Sequence, residues 1–192
     1  MRASARGRHV RLRDDLARWR PASQAQRALA SDYVNFIDER GPTALTRGGA
    51  EHLTASMFVF SADLSRVLLC FHRKAQFWVQ VGGHIEEGDI AVADAALREA
   101  REETGLTSIH LLRHGPVDVH RHSLAAAFGA CRVHRDVGFA AVADPSEPLV
   151  VSKESESLGW FSVDALPAPT PGDFTERLSI ARGELLRSRP IR

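Results

Sequence analysis

The chain has 192 residues, 44% of them apolar and 26% charged, with a formal net charge of +1. That length buries a full core in one domain with appendages, no apolar run approaches the ~18 residues of a membrane span, and no apolar stretch follows the basic start to make a secretory leader. Cys70 and Cys131 are the only cysteines; they make no disulfide framework and as a pair match no zinc motif, so a cytoplasmic setting is expected.

Charge is uneven along the chain. Seven arginines fall in the first twenty residues against Asp14 and Asp15. Residues 1–10 are expected to be a frayed, solvated basic arm, and removing residues 1–20 is expected to leave the chemistry intact. Contact of the arm with nucleic acid or phosphate is the less favoured use. Residues 11–20 and 23–40 read as helices, the second with Leu29, Tyr33 and Phe36/Ile37 at helical spacing and a stop at Arg40-Gly41-Pro42. A glycine-rich connector covers 41–52. Short β-like runs follow at 54–60, 66–71 and 77–82. A helix is expected over 91–104, stopped by Gly105 just past its end. Strands are expected at 108–113, 117–122, 137–143 and 158–163. A turn of helix at 164–167, a Pro/Gly-rich connector and an amphipathic helix over 173–188 close the chain. Strands with interspersed helices imply an α/β architecture, with helices covering both sides of a mixed sheet. The division expected is a basic arm and helical extension over 1–50 and the main domain over 51–192.

The helix over 91–104 raises a question of charge. At ~100° per residue, Glu99, Glu102 and Glu103 share one face, while Ala93, Leu97, Ala100 and Thr104 form a small apolar stripe suited to lying on a sheet. Like charges at this spacing cost roughly 0.2–0.5 kcal/mol per pair, which a solvated surface tolerates. Three carboxylates on one face are also what a hard divalent cation needs, since Mg²⁺ and Mn²⁺ take oxygen ligands and share them with substrate phosphates. The segment ahead of the helix, Gly82-Gly83-His84-Ile85-Glu86-Glu87-Gly88-Asp89, supplies backbone free to approach a ligand closely.

Loop and helix together resemble the signature of the Nudix family, hydrolases of nucleoside diphosphates linked to another moiety. Gly83 begins the match, and Arg98-Glu99-Ala100-Arg101-Glu102-Glu103-Thr104-Gly105-Leu106 ends it with every fixed position kept. There are two departures. Asp89 stands where the family has a glutamate, and eight residues rather than seven separate it from Arg98, which leaves open the ion pair between them that the family pattern suggests. Val81 also replaces the proline of the usual entry to the loop.

The resemblance implies an α/β/α sandwich and hydrolysis of a pyrophosphate bond in a nucleotide-derived small molecule by in-line attack of water. It further implies Mg²⁺ or Mn²⁺ held by Glu99, Glu102 and Glu103 with the Gly83 carbonyl, and Arg98 orienting the first glutamate or bracing the loop. Glu99 and Glu154, the latter on a late loop where several relatives carry an acidic ligand or base, are the candidates for general base; Glu154 is also a candidate metal ligand. His72 and Arg73, at the end of the second strand, are candidate phosphate contacts. His120, His122 and His134 are candidate substrate contacts, with a second metal site among them and Asp136 the less favoured reading. The competing hypothesis is a Nudix-fold module that senses a nucleotide without cleaving it. All three glutamates and Arg98 are present, which favours the enzyme. No basic recognition helix follows a tight turn, so nucleic acid is disfavoured as a partner. A homodimer is left open, and no membrane partner is expected.

Overall fold

A computed structural model describes residues 7–124 and 131–188. In chain order it contains α1 (Arg8–Arg18), α2 (Gln24–Arg40), a 3-10 turn (Gly41–Leu45), β1 (Glu51–Phe60), β2 (Arg66–His72), β3 (Phe77–Val79), β4 (Val81–His84), α3 (Val92–Thr104), β5 (His110–Leu111), β6 (Asp118–Ser123), β7 (Val133–Val142), β8 (Ser155–Ser162) and α4 (Phe174–Ser188). The helix ends follow local chemistry. Ser23 Oγ accepts from the Gln26 amide at 3.4 Å to open α2. Asp94 accepts from the Ala91 amide at 2.9 Å at the start of α3. Gly41 (φ +56°) and Gly105 (φ +72°) take the positive-φ positions that end α2 and α3.

β1 is the spine of a mixed sheet. β7 runs parallel to it along its whole length, from Glu51↔Val133 to Phe60↔Val142. The other edge of β1 is shared: β4 pairs antiparallel with Thr54–Met57 and β2 with Val59–Phe60. The sheet therefore forks between β4 and β2. β3 and β8 pair with β2, and β5 and β6 with β7, all antiparallel. Strand alternation assigns the two faces. Leu53, Ala55, Met57 and Val59 point toward α1, α2 and α3 and join one buried cluster. Phe58 and Phe60 point the other way, with Ala140, toward Phe174, Leu178, Ala181 and Leu185 of α4. This is the three-layer arrangement expected.

Several elements differ from expectation, each for a local reason. The apolar run 77–82 is two strands, because Gln80 turns inward between them and donates to Ser56 Oγ at 3.3 Å. The strand expected at 108–113 shrinks to His110–Leu111, and 164–167 is a turn closed by a Ser162↔Ala165 bridge. β1, β7 and β8 each begin upstream of the expected start.

The basic arm is the larger correction, since residues 8–10, expected to be frayed, belong to the first helix. Helix α1 starts at Arg8, and Leu12, Leu16 and Trp19 are at most 7% exposed in the same core as Tyr33, Phe36 and Leu45. Their i, i+4, i+7 spacing is that of a helix face, masked in the sequence by the arginines between them. The boundary near residue 50 is thus no break in the core. Deleting residues 1–20 is expected to lower stability, since three large apolar side chains contribute about 1.5–3 kcal/mol each on burial. A fall in thermal midpoint, or failure to purify folded protein, measures it.

Candidate active site

α3 lies against β4 and β1, and its buried arc is wider than the sequence suggested. Ala93, Ala95, Ala96, Ala100 and Thr104 are buried, and so is Glu103, at 5% exposure, while Leu97 is only half-buried. Of the three glutamates, Glu102 faces solvent, Glu99 is half-buried and Glu103 points under the helix into the fork of the sheet. Glu103 accepts from the Gly82 amide at 2.8 Å. Burial pushes its carboxyl up to about 7, with the Gly82 hydrogen bond opposing and the Glu99 and Glu154 charges adding to the rise. Burial raises Glu99 as well, against the Arg98 guanidinium beside it.

Arg98 organises the set. Its Nε and Nη2 grip Asp89 at 3.1 and 3.2 Å, Nη2 also donates to the His84 carbonyl at 2.8 Å, and Nη1 donates to Glu99 and Glu102 at 3.0 and 3.1 Å. The ion pair left open by the extra residue before the helix therefore forms, and in a bidentate geometry. Asp89 reaches it because its second oxygen also accepts from the Glu86 amide at 2.7 Å, which curls the loop back on itself. From the other side Arg8 of α1 donates to the carbonyls of Glu86 and Asp89. Sequence reasoning gave Arg8 to a solvated arm.

The two loop glycines are tight for different reasons. A methyl group at Gly82 would meet Ser56 Cα at 2.6 Å, whereas at Gly83 it would meet the Glu99 carboxylate at 2.7 Å. Gly82→Ala is a backbone conflict. Gly83→Ala displaces only a side-chain end, so it is expected to leave the fold intact and cost turnover about 100-fold, the penalty of a ~1 Å misplacement at a reacting centre. Circular dichroism and steady-state rates on the purified variant check both halves.

Glu154 is exposed on the loop before β8, close enough for its charge to act on Glu99, Glu103 and His72. Arg73 holds that loop: its Nε and Nη2 donate to the carbonyls of Lys153 and Ser155 at 3.2 and 3.0 Å, and its amide to the Glu154 carbonyl at 3.0 Å. His72 Nδ1 accepts from the amides of Lys74 and Ala75 in the same hairpin. Carboxylates, loop and hairpin thus come together around the fork of the sheet.

The histidines do not join them. Gly83 faces Glu99 and pairs with Ala55, so its neighbour His84, paired with Thr54, faces the opposite side of the sheet. Thr54 and Ser56 on that side donate to Asp136 at 3.0 and 2.5 Å. His134 precedes Asp136 by two positions, and His120 and His122 pair with Asp136 and His134. His120, His122 and His134 therefore lie across the sheet from the glutamates, and His120 Nε2 lies 2.7 Å from an Asp173 carboxylate oxygen. His52 and His84, which sequence reasoning passed over, complete this cluster. Burial holds His134 down to about 3 and His84 to about 4, with neighbouring imidazoles and Arg47 adding to the effect.

A cation fits the glutamate site. Glu103 is buried with its charge met by neutral donors, the Gly82 amide and the Cys70 thiol, Glu99 packs directly against Gly83, and the carboxylates and the Gly83 carbonyl are hard oxygen donors.

Comparison with known proteins gives the family and the fold. No curated protein matches the chain in sequence, but the NUDIX domain model matches residues 50–182. Among solved structures the chain is similar to a MutT NUDIX hydrolase from Burkholderia pseudomallei, at 27% identity and a TM-score of 0.52 over 67% of this chain and 96% of that one. A NUDIX-family hydrolase from Clostridium perfringens gives 24% and 0.54 over 72% and 98%. An Ap4A hydrolase from C. elegans gives 16% and 0.58 over 70% and 98% and shares the fold. With its signature loop closed by the Asp89–Arg98 pair and the family model spanning the sheet, the chain belongs to the NUDIX family.

Proposed function

We propose that the protein hydrolyses a pyrophosphate bond in a nucleoside di- or triphosphate derivative with the help of Mg²⁺ or Mn²⁺. The observation that carries this reading is the gathering of Glu99 and Glu103, with Glu102 beside them, against Gly82 and Gly83 by an arginine that touches two of the three. Glu99, Glu102, Glu103 and the Gly83 carbonyl would hold the ion, with Glu154 able to join them from the opposite loop. When bound, the ion neutralises phosphate oxygens and makes a water more acidic.

The chain's own groups do the rest. Arg98 fixes the loop through Asp89 and the His84 carbonyl, and thereby the distance between Gly83 and the helix. Glu99 and Glu154 are the proposed acceptors of the proton from the attacking water. Arg73 positions Glu154 by strapping the loop that carries it, and His72 and Arg73 border the same opening, where substrate phosphate is proposed to meet them. The Clostridium and C. elegans likenesses bear on fold alone, and the substrate within the nucleotide class is chosen by contacts outside the signature.

The test is a panel of nucleotide derivatives incubated with the purified protein and each metal, with phosphate-containing products identified by chromatography. Release of a monophosphate from at least one member supports the proposal. Tight binding of a nucleotide with no turnover under either metal would replace it with a sensing module.

A further inference from the structure

On the opposite face of the sheet from the glutamates, the structure assigns a second metal site, of a different chemical class, to His52, His134 and Cys131. We propose that these three side chains bind a borderline-soft divalent cation, zinc in the first instance, with its fourth position open.

The site is made by register. β1 and β7 run parallel with His52 directly beside His134, and the entry to β7 is fixed by the amides of Arg132 and Val133 donating to the Ala50 carbonyl at 2.8 and 3.1 Å. That places Cys131 next to His52. The ligand atoms of the three residues all lie within 4.8 Å of one another. Cys131 Sγ is 3.4 Å from His52 Nδ1, close to the ~3.5 Å edge implied by tetrahedral zinc with bonds of ~2.3 Å to sulfur and ~2.0–2.1 Å to nitrogen.

Two further observations bear on the site. His52 is 1% exposed and its Nε2 makes no hydrogen bond, so the nitrogen that faces Cys131 Sγ, Nδ1, is the one through which this buried ring meets a donor or ligand atom. In addition, His52, His84 and His134 contact one another ring to ring at 5.0–5.5 Å, yet among the described residues no carboxylate hydrogen-bonds any of the three. A thiol–imidazole hydrogen bond would account for one atom of His52 and for nothing about His134.

Donor type separates this site from the glutamate site. Thiolate and imidazole select zinc and its neighbours over magnesium, and carboxylates with carbonyls do the reverse. The protein is thereby expected to hold two metals at once without competition between them.

The experiment uses the full chain, reduced and stripped of metal, then loaded with Co²⁺ or Zn²⁺ in the presence of excess Mg²⁺. The expected result is one equivalent retained, and in the cobalt form a thiolate-to-cobalt charge-transfer band in the near ultraviolet. Cys131→Ser should abolish the band and weaken zinc by more than about 100-fold, since losing even an outer-shell partner costs ~10–100-fold. His134→Gln should weaken zinc comparably. Glu103→Gln should leave band and stoichiometry as in the parent, which separates this site from the hydrolytic one whether or not hydrolysis is found. The absence of a charge-transfer band in the parent protein overturns the proposal, and that readout does not depend on any variant folding. Zinc retention that survives Cys131→Ser but falls in Glu103→Gln also overturns it, by assigning the metal to the carboxylates.

Discussion

Replacing Glu103 with glutamine is expected to reduce turnover by at least about 100-fold, the scale on which a single preorganised electrostatic contact acts at a reacting centre, while thermal stability is unchanged or higher. The two halves have separate causes. Glu103 is the most buried of the three glutamates, so its carboxylate reaches any cation in the fork of the sheet with little solvent screening. A neutral amide keeps an oxygen for the Gly82 amide, 2.8 Å away, and removes a charge that burial penalises. Steady-state kinetics at saturating metal, alongside a melting curve, tests both. A variant with parental kcat would take Glu103 out of the metal set. A variant that unfolds would make it a structural residue instead.

The second large effect lies away from the chemistry. Arg177 of α4 is 5% exposed and donates through Nε and Nη2 to Asp118 at 2.9 and 2.6 Å, with Asp136 at 3.7 Å. Arg177→Met leaves Asp118, which has no solvent exposure, without its cation. Breaking a buried pair in this way costs about 3–5 kcal/mol, or roughly 6–20 °C in midpoint at ~2–4 °C per kcal/mol for a chain of this size. The pH dependence has a definite sign. Burial already raises the Asp118 carboxyl, and Arg177 opposes the rise. Without Arg177 the folded-state value climbs further above the unfolded one, so stability is retained below the ordinary carboxylate range and lost as pH rises through the folded value. The deficit of the variant should therefore shrink on acidification, and Arg177→Met with Asp118→Leu should recover part of it. Urea titrations at several pH values measure this. A deficit that does not vary with pH would mean that lost packing, not a stranded carboxylate, sets the cost.

How much of this was legible in the sequence depends on the distance between the partners. The signature was legible because loop and helix are contiguous, and a helix converts a spacing of three or four residues into a shared face. What the spacing did not reveal is that Glu103 lies inside the buried arc, since that depends on which side of α3 the sheet occupies. The Asp89–Arg98 pair looked doubtful on residue count, but a loop that folds back through the Glu86 amide absorbs the extra residue. The histidine–cysteine cluster was out of reach. Its members are brought together only by the parallel register of β1 and β7, and Cys131 and His52 are 79 residues apart in sequence. Read as a pair with Cys70, Cys131 matched nothing, whereas beside His134 at a spacing of three it had a partner. The amino-terminal helix was legible from residue 11, but not its start at Arg8 or the burial of Leu12, Leu16 and Trp19 in the main core, which depends on partners in α2 and the sheet.

Arg8 lies outside residues 50–182, the span shared with the family, yet its guanidinium rests on the carbonyls of Glu86 and Asp89 within the signature loop. A change that removes or displaces Arg8 withdraws that support from the loop that frames the glutamates. Arg8→Ala is the change that reads this support out, and its rates belong beside those of the parent before any substrate is ranked.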